Sequence, residues 1–155
     1  THLKIDATGA VTMPLQPAFQ VAKVSAEQSN IALNTHVTIV FDGEIFDQNL
    51  DVASNSFAVP ITGKYQLNVN VRIKAVDSAA TYIHVRIVTS NRVYGTIFDP
   101  DFGQDADYWS LNMAVLADMD ASDTAHVTIY QQSGTQQMDI VNDAGATNFS
   151  GYLVA

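Results

Sequence analysis

Four aspartates, Asp99, Asp101, Asp105 and Asp107, fall in the stretch DPDFGQDADYW, which ends on Tyr108 and the chain's single tryptophan, Trp109. Carboxylates that alternate along a chain are hard oxygen ligands, so these four are candidate ligands for Ca2+. The glycine and glutamate spacings of an EF-hand are absent, so such a site would be built differently. The aromatics offer a second chemistry: a ring face stacks on a sugar while adjacent polar groups bind its hydroxyls. On that reading Phe102, Gln104, Asp105 and Tyr108 are the candidate ligand-binding residues. Trp109 shares parity with Leu111, Met113 and Val115 and is expected on the core face. Glycosidic hydrolysis would need two carboxylates with different roles, and nothing singles out one of these acids as a proton donor.

No other stretch supplies a nucleophile. The chain has no cysteine and no G-x-S-x-G, and its serines lie in turn-forming stretches without a neighbouring histidine, so no catalytic residue is assigned. The histidines, His2, His36, His84 and His126, are isolated, and no two have the spacing of paired metal ligands. They read as solvated or inter-subunit polar groups.

The elements that must position these residues follow from composition and period. The chain of 155 residues is 47% hydrophobic and 15% charged, enough for one packed domain. Its net charge of −9 is uneven: seven acids and seven bases lie before Val93, and nine aspartates with no Lys or Arg lie after Arg92. That field repels a phosphate backbone, so nucleic acid is excluded as a partner. No apolar run is long enough for membrane insertion. Because the chain starts at Thr1 without a leader pattern, it is expected to be a mature or excised piece of a longer protein.

Apolar residues recur with period two. In GKYQLNVNVRI, Tyr65, Leu67, Val69, Val71 and Ile73 alternate with Gln66, Asn68, Asn70 and Arg72, and YIHVRIV and TAHVTIYQ repeat the pattern. Further strands are expected over 18–24, 36–41, 55–60, 92–98, 108–118 and 147–154, with turn-rich segments between them. No segment reads as a long helix. An all-β chain of half-buried antiparallel strands is a sandwich, barrel or jelly roll. Residues 1–17 read as a small β stalk end or connector, and 18–155 as the head domain.

The opening PAF at Pro17–Phe19, the block FDGEIFDQNLDVASNSFAVPITGKYQLNV, the block SLNMAVLADMDASDTAHVTIY and the closing NFSGYLVA resemble, in order and spacing, the complement C1q and tumour-necrosis-factor-like heads. The pattern departs at Ser122, where that family usually has Gly, and no collagen repeat precedes the head. The segment LKIDATGAVTMPLQPAF is similar to connector phrases before bacteriophage tail-fibre heads. The resemblance implies a two-sheet antiparallel β-sandwich jelly roll assembled as a homotrimer. The sheet holding Gln66, Asn68, Asn70 and Arg72 would face the three-fold axis, with Ala114, Leu116 and Tyr152 adding apolar contact. The 75–81, 98–108 and 132–147 loops would form a distal crown with the four aspartates repeated in each chain. It further implies a non-enzymatic virion head that recognises a host-surface receptor, glycan or protein. The alternatives are an extracellular bacterial binding module of the same fold and a structural trimerisation cap.

Overall fold

The computed structural model describes residues 3–155, so His2 lies outside the described residues. In chain order the strands among them are β1 (Lys4–Ile5), β2 (Val11–Thr12), β3 (Ala18–Ala22), β4 (Val37–Thr38), β5 (Gly43–Asp47), β6 (Val52–Ala53), β7 (Ser56–Ala58), β8 (Gly63–Val76), β9 (Tyr82–Thr89), β10 (Val93–Phe98), β11 (Ala106–Met119), β12 (Thr124–Gln132), β13 (Asp139–Ile140) and β14 (Asn148–Leu153). No helix among the described residues is long and apolar enough to cross a membrane.

Two six-stranded antiparallel sheets pack face to face. One runs β10-β9-β12-β7-β6 with β4 also on β12, and the other runs β11-β8-β14-β3-β5 with β13 also on β8. The period-two pattern decides which side is inside. Tyr65, Leu67, Val69, Val71 and Ile73 of β8 are buried against Ile83, Val85 and Ile87 of β9 and Val127 and Ile129 of β12 in one core cluster. Phe19 of β3 and Phe57 of β7 stack across the two sheets with ring centroids 4.5 Å apart. Tyr65 is wholly buried, and its hydroxyl donates to the Ile61 carbonyl at 2.7 Å, which resolves the only polar atom of that side chain.

Strand direction sorts the connections into two ends. The 59–62, 90–92 and 120–123 turns share one end with Pro17 and Leu153, where the Leu153 amide donates to the Pro17 carbonyl at 3.0 Å. The turns after β8, β10 and β12 lie at the opposite end. The β1–β2 hairpin is exposed throughout. Its turn is closed by Asp6, which accepts from the Thr8 hydroxyl at 2.7 Å and the Thr8 and Ala10 amides. These bonds, the Thr8 hydroxyl foremost, hold the Asp6 carboxyl below the usual range.

Two short strands, β6 and β13, arise where the sequence reads as turns, β5 forms between two expected strands, and the expected strand over 36–41 forms a ladder only at Val37–Thr38, with the Ile39 amide donating to the Val127 carbonyl at 3.0 Å. Beyond β4, Ile39 and Phe41 are buried, but the Phe41 amide donates to the Asn55 side chain rather than to a strand. The strand expected to reach residue 24 stops at Ala22 because Lys23 turns inward to Asp42, 2.5 Å away. Burial alone would raise the Asp42 carboxyl; the Lys23 ammonium and the Val24 and Ser25 amides outweigh it and hold the group far below its ordinary value.

Ser122 has a φ of 77°, in the left-handed region, inside the turn closed by the Asp123 amide on the Asp120 carbonyl at 2.9 Å. A non-glycine residue there carries about 1–2 kcal/mol of strain. Glycine removes that strain but gives back about 0.4–1 kcal/mol in unfolded-chain entropy. Ser122→Gly is therefore expected to stabilise the protein by about 0.5–1 kcal/mol. A lower urea midpoint in the variant would show that the Ser122 side chain supports the turn.

Candidate recognition site

The end opposite Pro17 is built around Asp77. Its side chain is 1% exposed and accepts from the Ala79 amide at 2.8 Å, from the Gln136 amide at 2.7 Å and from the Thr135 amide. Burial pushes this carboxyl up, and the three amides more than reverse that push. Gly134 comes so close that a Cβ there would stand 2.5 Å from Asp77 Oδ2. Asp77 thus ties the 133–137 turn to the turn after β8. The Ser78 amide and hydroxyl both donate to Asp105 Oδ1, at 2.9 and 2.8 Å, which ties in the 99–105 segment as well. The first half of the expected crown is therefore held together. The rest of the 132–147 loop runs down the sheet from this end: Asp139 and Ile140 pair with Lys74 and Ile73 near the end of β8, and Asp143 lies on Arg72 at 3.1 Å.

The acidic segment folds back on itself. Asp99 accepts from the Asp101 amide at 3.2 Å, the Phe102 amide bonds the Pro100 carbonyl, and Gly103 takes a positive φ of 76°. This reversal lays Phe102 on Trp109, with centroids 5.2 Å apart, and near Phe98 at 5.5 Å. Phe98 and Trp109 are almost parallel, 7° apart, with centroids at 4.7 Å. Beside this stack opens a groove of about 740 Å³ lined by residues 102–109, so Phe102, Gln104, Asp105 and Tyr108 all border it.

The structure corrects the placement of Trp109. Trp109 has the expected parity but is 40% exposed, because β11 is the edge strand of its sheet and Leu111 is its last buried residue toward this end. It belongs to the groove with Phe102. Tyr108 is 61% exposed and borders the groove, on the opposite side of β11 from Trp109, where it pairs across to Lys74 beside Arg72 and Val141. Asp99, Asp101, Asp105 and Asp107 do not assemble a calcium site within one chain: no three His, Asp or Glu side chains among the described residues converge on a point. Asp99 closes its own turn and Asp105 binds Ser78, so two of the four carboxylates serve the backbone and side chains around them. Sequence reasoning reaches Phe98 only as one of the aromatics flanking the acidic stretch and does not single out Asp77 or Ser78. The paired aromatics Phe98 and Trp109 on adjoining strands were the only available signal, and Asp77 resembled any turn aspartate.

No protein-family model and no curated protein matches the chain. Solved structures do. The globular domain of zebrafish complement 1qA protein superposes with a TM-score of 0.64 at 16% identity, covering 90% of this chain and 98% of that one. Two crystal structures of murine APRIL each give 0.62, at 12% and 13% identity, covering 90% of this chain and 99% of theirs. Two antiparallel sheets in this strand order, spanned almost whole by such neighbours, make the chain a jelly-roll head of the complement C1q and tumour-necrosis-factor-like fold.

Proposed function

We propose that this chain is the non-enzymatic, trimeric head of a virion fibre or spike, and that it recognises a host-surface receptor through the groove at its distal end. The observation that carries the reading is the pair of exposed rings Phe102 and Trp109, stacked on a half-buried Phe98 beside Gln104 and Asp107, at the end away from Pro17. An aromatic stack left in water beside polar groups suits a sugar ring or an apolar side chain of a receptor. Similarity of the N-terminal phrase to tail-fibre connectors supports the virion setting, and a secreted extracellular module is the alternative for the same groove.

Assembly rests on the free face of the β11-β8-β14-β3-β5 sheet. Register places Leu116, Gln66, Tyr152 and Ala18 in one row across four strands, and Phe46 lies opposite Gln20 one row on. Leu116, Tyr152 and Phe46 are all exposed in the single chain. Three copies closing this face around an axis would cover them and repeat the groove three times, so weak sites add through avidity. Calcium, if bound, would be shared between chains at that crown.

Light scattering is expected to give three times 16.8 kDa. Trp109→Ala and Phe102→Ala should each weaken binding to host cells or a glycan array by roughly tenfold per site without changing the assembly. A monomer at micromolar concentration, or wild-type binding by both variants, would overturn the reading.

A further inference from the structure

The solvent face of the other sheet carries a second constellation. Even-numbered side chains of β9 and β12 point out of the sandwich, and register sets His84 opposite Tyr130 and Arg86 opposite Thr128. His36, just before β4, lies on Tyr130 with centroids 4.5 Å apart and reaches His84 at 6.2 Å. Tyr82 stacks on Tyr130 at 5.7 Å. Across the sheet edge, Gly95 of β10 leaves the space that the His84 ring fills: a Cβ there would stand 2.2 Å from His84 Nε2. The result is a cluster of rings beside one guanidinium, with Tyr130 tilted by 28° to Tyr82 and by 36° to His36, and His84 edge-on to Tyr82 and His36.

That guanidinium is unlike the other two. Arg72 pairs with Asp143 and Arg92 with Asp118, whereas Arg86 has no carboxylate within 4.0 Å among the described residues and bonds only the Thr128 hydroxyl, at 3.2 Å. In a chain of net charge −9, a half-buried arginine left without an acid on a face that also holds three histidines has charge to offer an anion. The groups facing the imidazoles are Tyr82 and Arg86 on β9, His126 and Tyr130 on β12 and His36 before β4. From the neighbouring strands, β10 turns out Val93, Gly95 and Ile97, and β7 sets Ser56 opposite His126. No carboxylate oxygen among the described residues lies within 4.0 Å of these histidines.

We propose that this face binds a carboxylated sugar, with the carboxylate on Arg86 and the sugar ring on the Tyr82–Tyr130–His36 platform. A bare metal does not fit, since the imidazoles are stacked on rings and do not converge. An acidic peptide would use the charge but leave the ring platform idle. Burial, and then the charge of Arg86, hold His36, His84 and His126 below the ordinary imidazole value. At neutral pH the rings are therefore uncharged and Arg86 alone attracts the ligand. Protonation on acidification adds positive charge to the site, so affinity rises as pH falls through the imidazole range.

Titration calorimetry of the protein with an oligogalacturonate, at pH 7.5 and 5.5, tests this. Binding is expected at both, about tenfold tighter at the lower pH. Arg86→Gln should weaken it by about tenfold or more at both. His84→Gln should cost far less than Arg86→Gln at pH 7.5 and should lose most of the acid gain. Gly95→Ala, which displaces the His84 ring without removing it, should act in the same direction as His84→Gln. The His36 and His84 ring signals in NMR titrations should move to higher pKa with ligand. Absence of binding, equal binding of a neutral galactose oligomer, full affinity in Arg86→Gln, or equal binding of a glutamate peptide would each overturn the proposal.

Discussion

Phe19→Ala is expected to lower the unfolding free energy by about 3–5 kcal/mol, a large share of the 5–15 kcal/mol typical of a domain. The ring is 1% exposed, stacks on Phe57 across the sandwich and meets Phe149 edge-on at 5.1 Å. Its surroundings cannot close over a cavity. Gly151 already sits so tight that a Cβ would come within 2.8 Å of Phe19 Cε1 and 2.7 Å of Leu67 Cδ2, and Gly151 is held by β3 on one side and β8 on the other. A gap left there would persist, and persistence is what makes a large-to-small change costly. Phe19→Leu should fall between the two. Urea unfolding reads the effect as a lower midpoint at unchanged slope. A loss below about 1 kcal/mol would mean that the two sheets can settle together without this ring.

Asp77→Ala should cost about 2–4 kcal/mol, and its damage should be local. One carboxylate satisfies three backbone amides from two turns, so its loss strands donors that cannot all turn to water while the turns stay packed. The turn at 133–137 and the Ser78–Asp105 link should open, which would loosen the groove. Amides of 133–137 are then expected to lose hydrogen-exchange protection while those of β8 keep theirs. Wild-type protection at 133–137 in the variant would show that the turn stands by itself. The pH dependence follows from the lowered carboxyl. A depressed acid stabilises the fold above its unfolded value, near 4, and that stability is lost as pH falls through the folded value. Asp77→Asn should therefore remove part of the acid limb and leave a shallower loss below about pH 4.

Much of the architecture is legible in alternation, because a residue that faces a core must be apolar and its neighbour in a strand faces away. β8, β9 and β12 carry that pattern over long runs and are found where it places them. Gly151 and Ser122 show what lies behind two motif positions. The first needs the absence of a side chain between Leu67 and Phe19, and the second needs a positive φ. The short strands were hidden for the opposite reason. β13 is two residues long, and its pairing with Lys74 and Ile73 depends on where β8 ends, not on anything local. Missing β5 also hid Phe46, which joins Leu116 and Tyr152 on the face proposed for assembly.

The site divides the same way. Local chemistry alone marked DPDFGQDADYW as a segment able to meet a ligand, and the strand order placed it at the end away from Pro17. Only the fold decided which of its residues share a surface. Parity assigns a side of a sheet but does not say how far the packed interior extends, so Trp109 proved to belong to the groove. Spacing along the chain likewise cannot show convergence in space. It suggested a cation site for four aspartates that form no three-ligand cluster within one chain among the described residues, and it left His36, His84 and His126 isolated where β9, β12 and the segment before β4 bring them near Arg86. Periodicity is a local property and was available from the residues; juxtaposition is set by register between distant strands, and only the tertiary structure contains it.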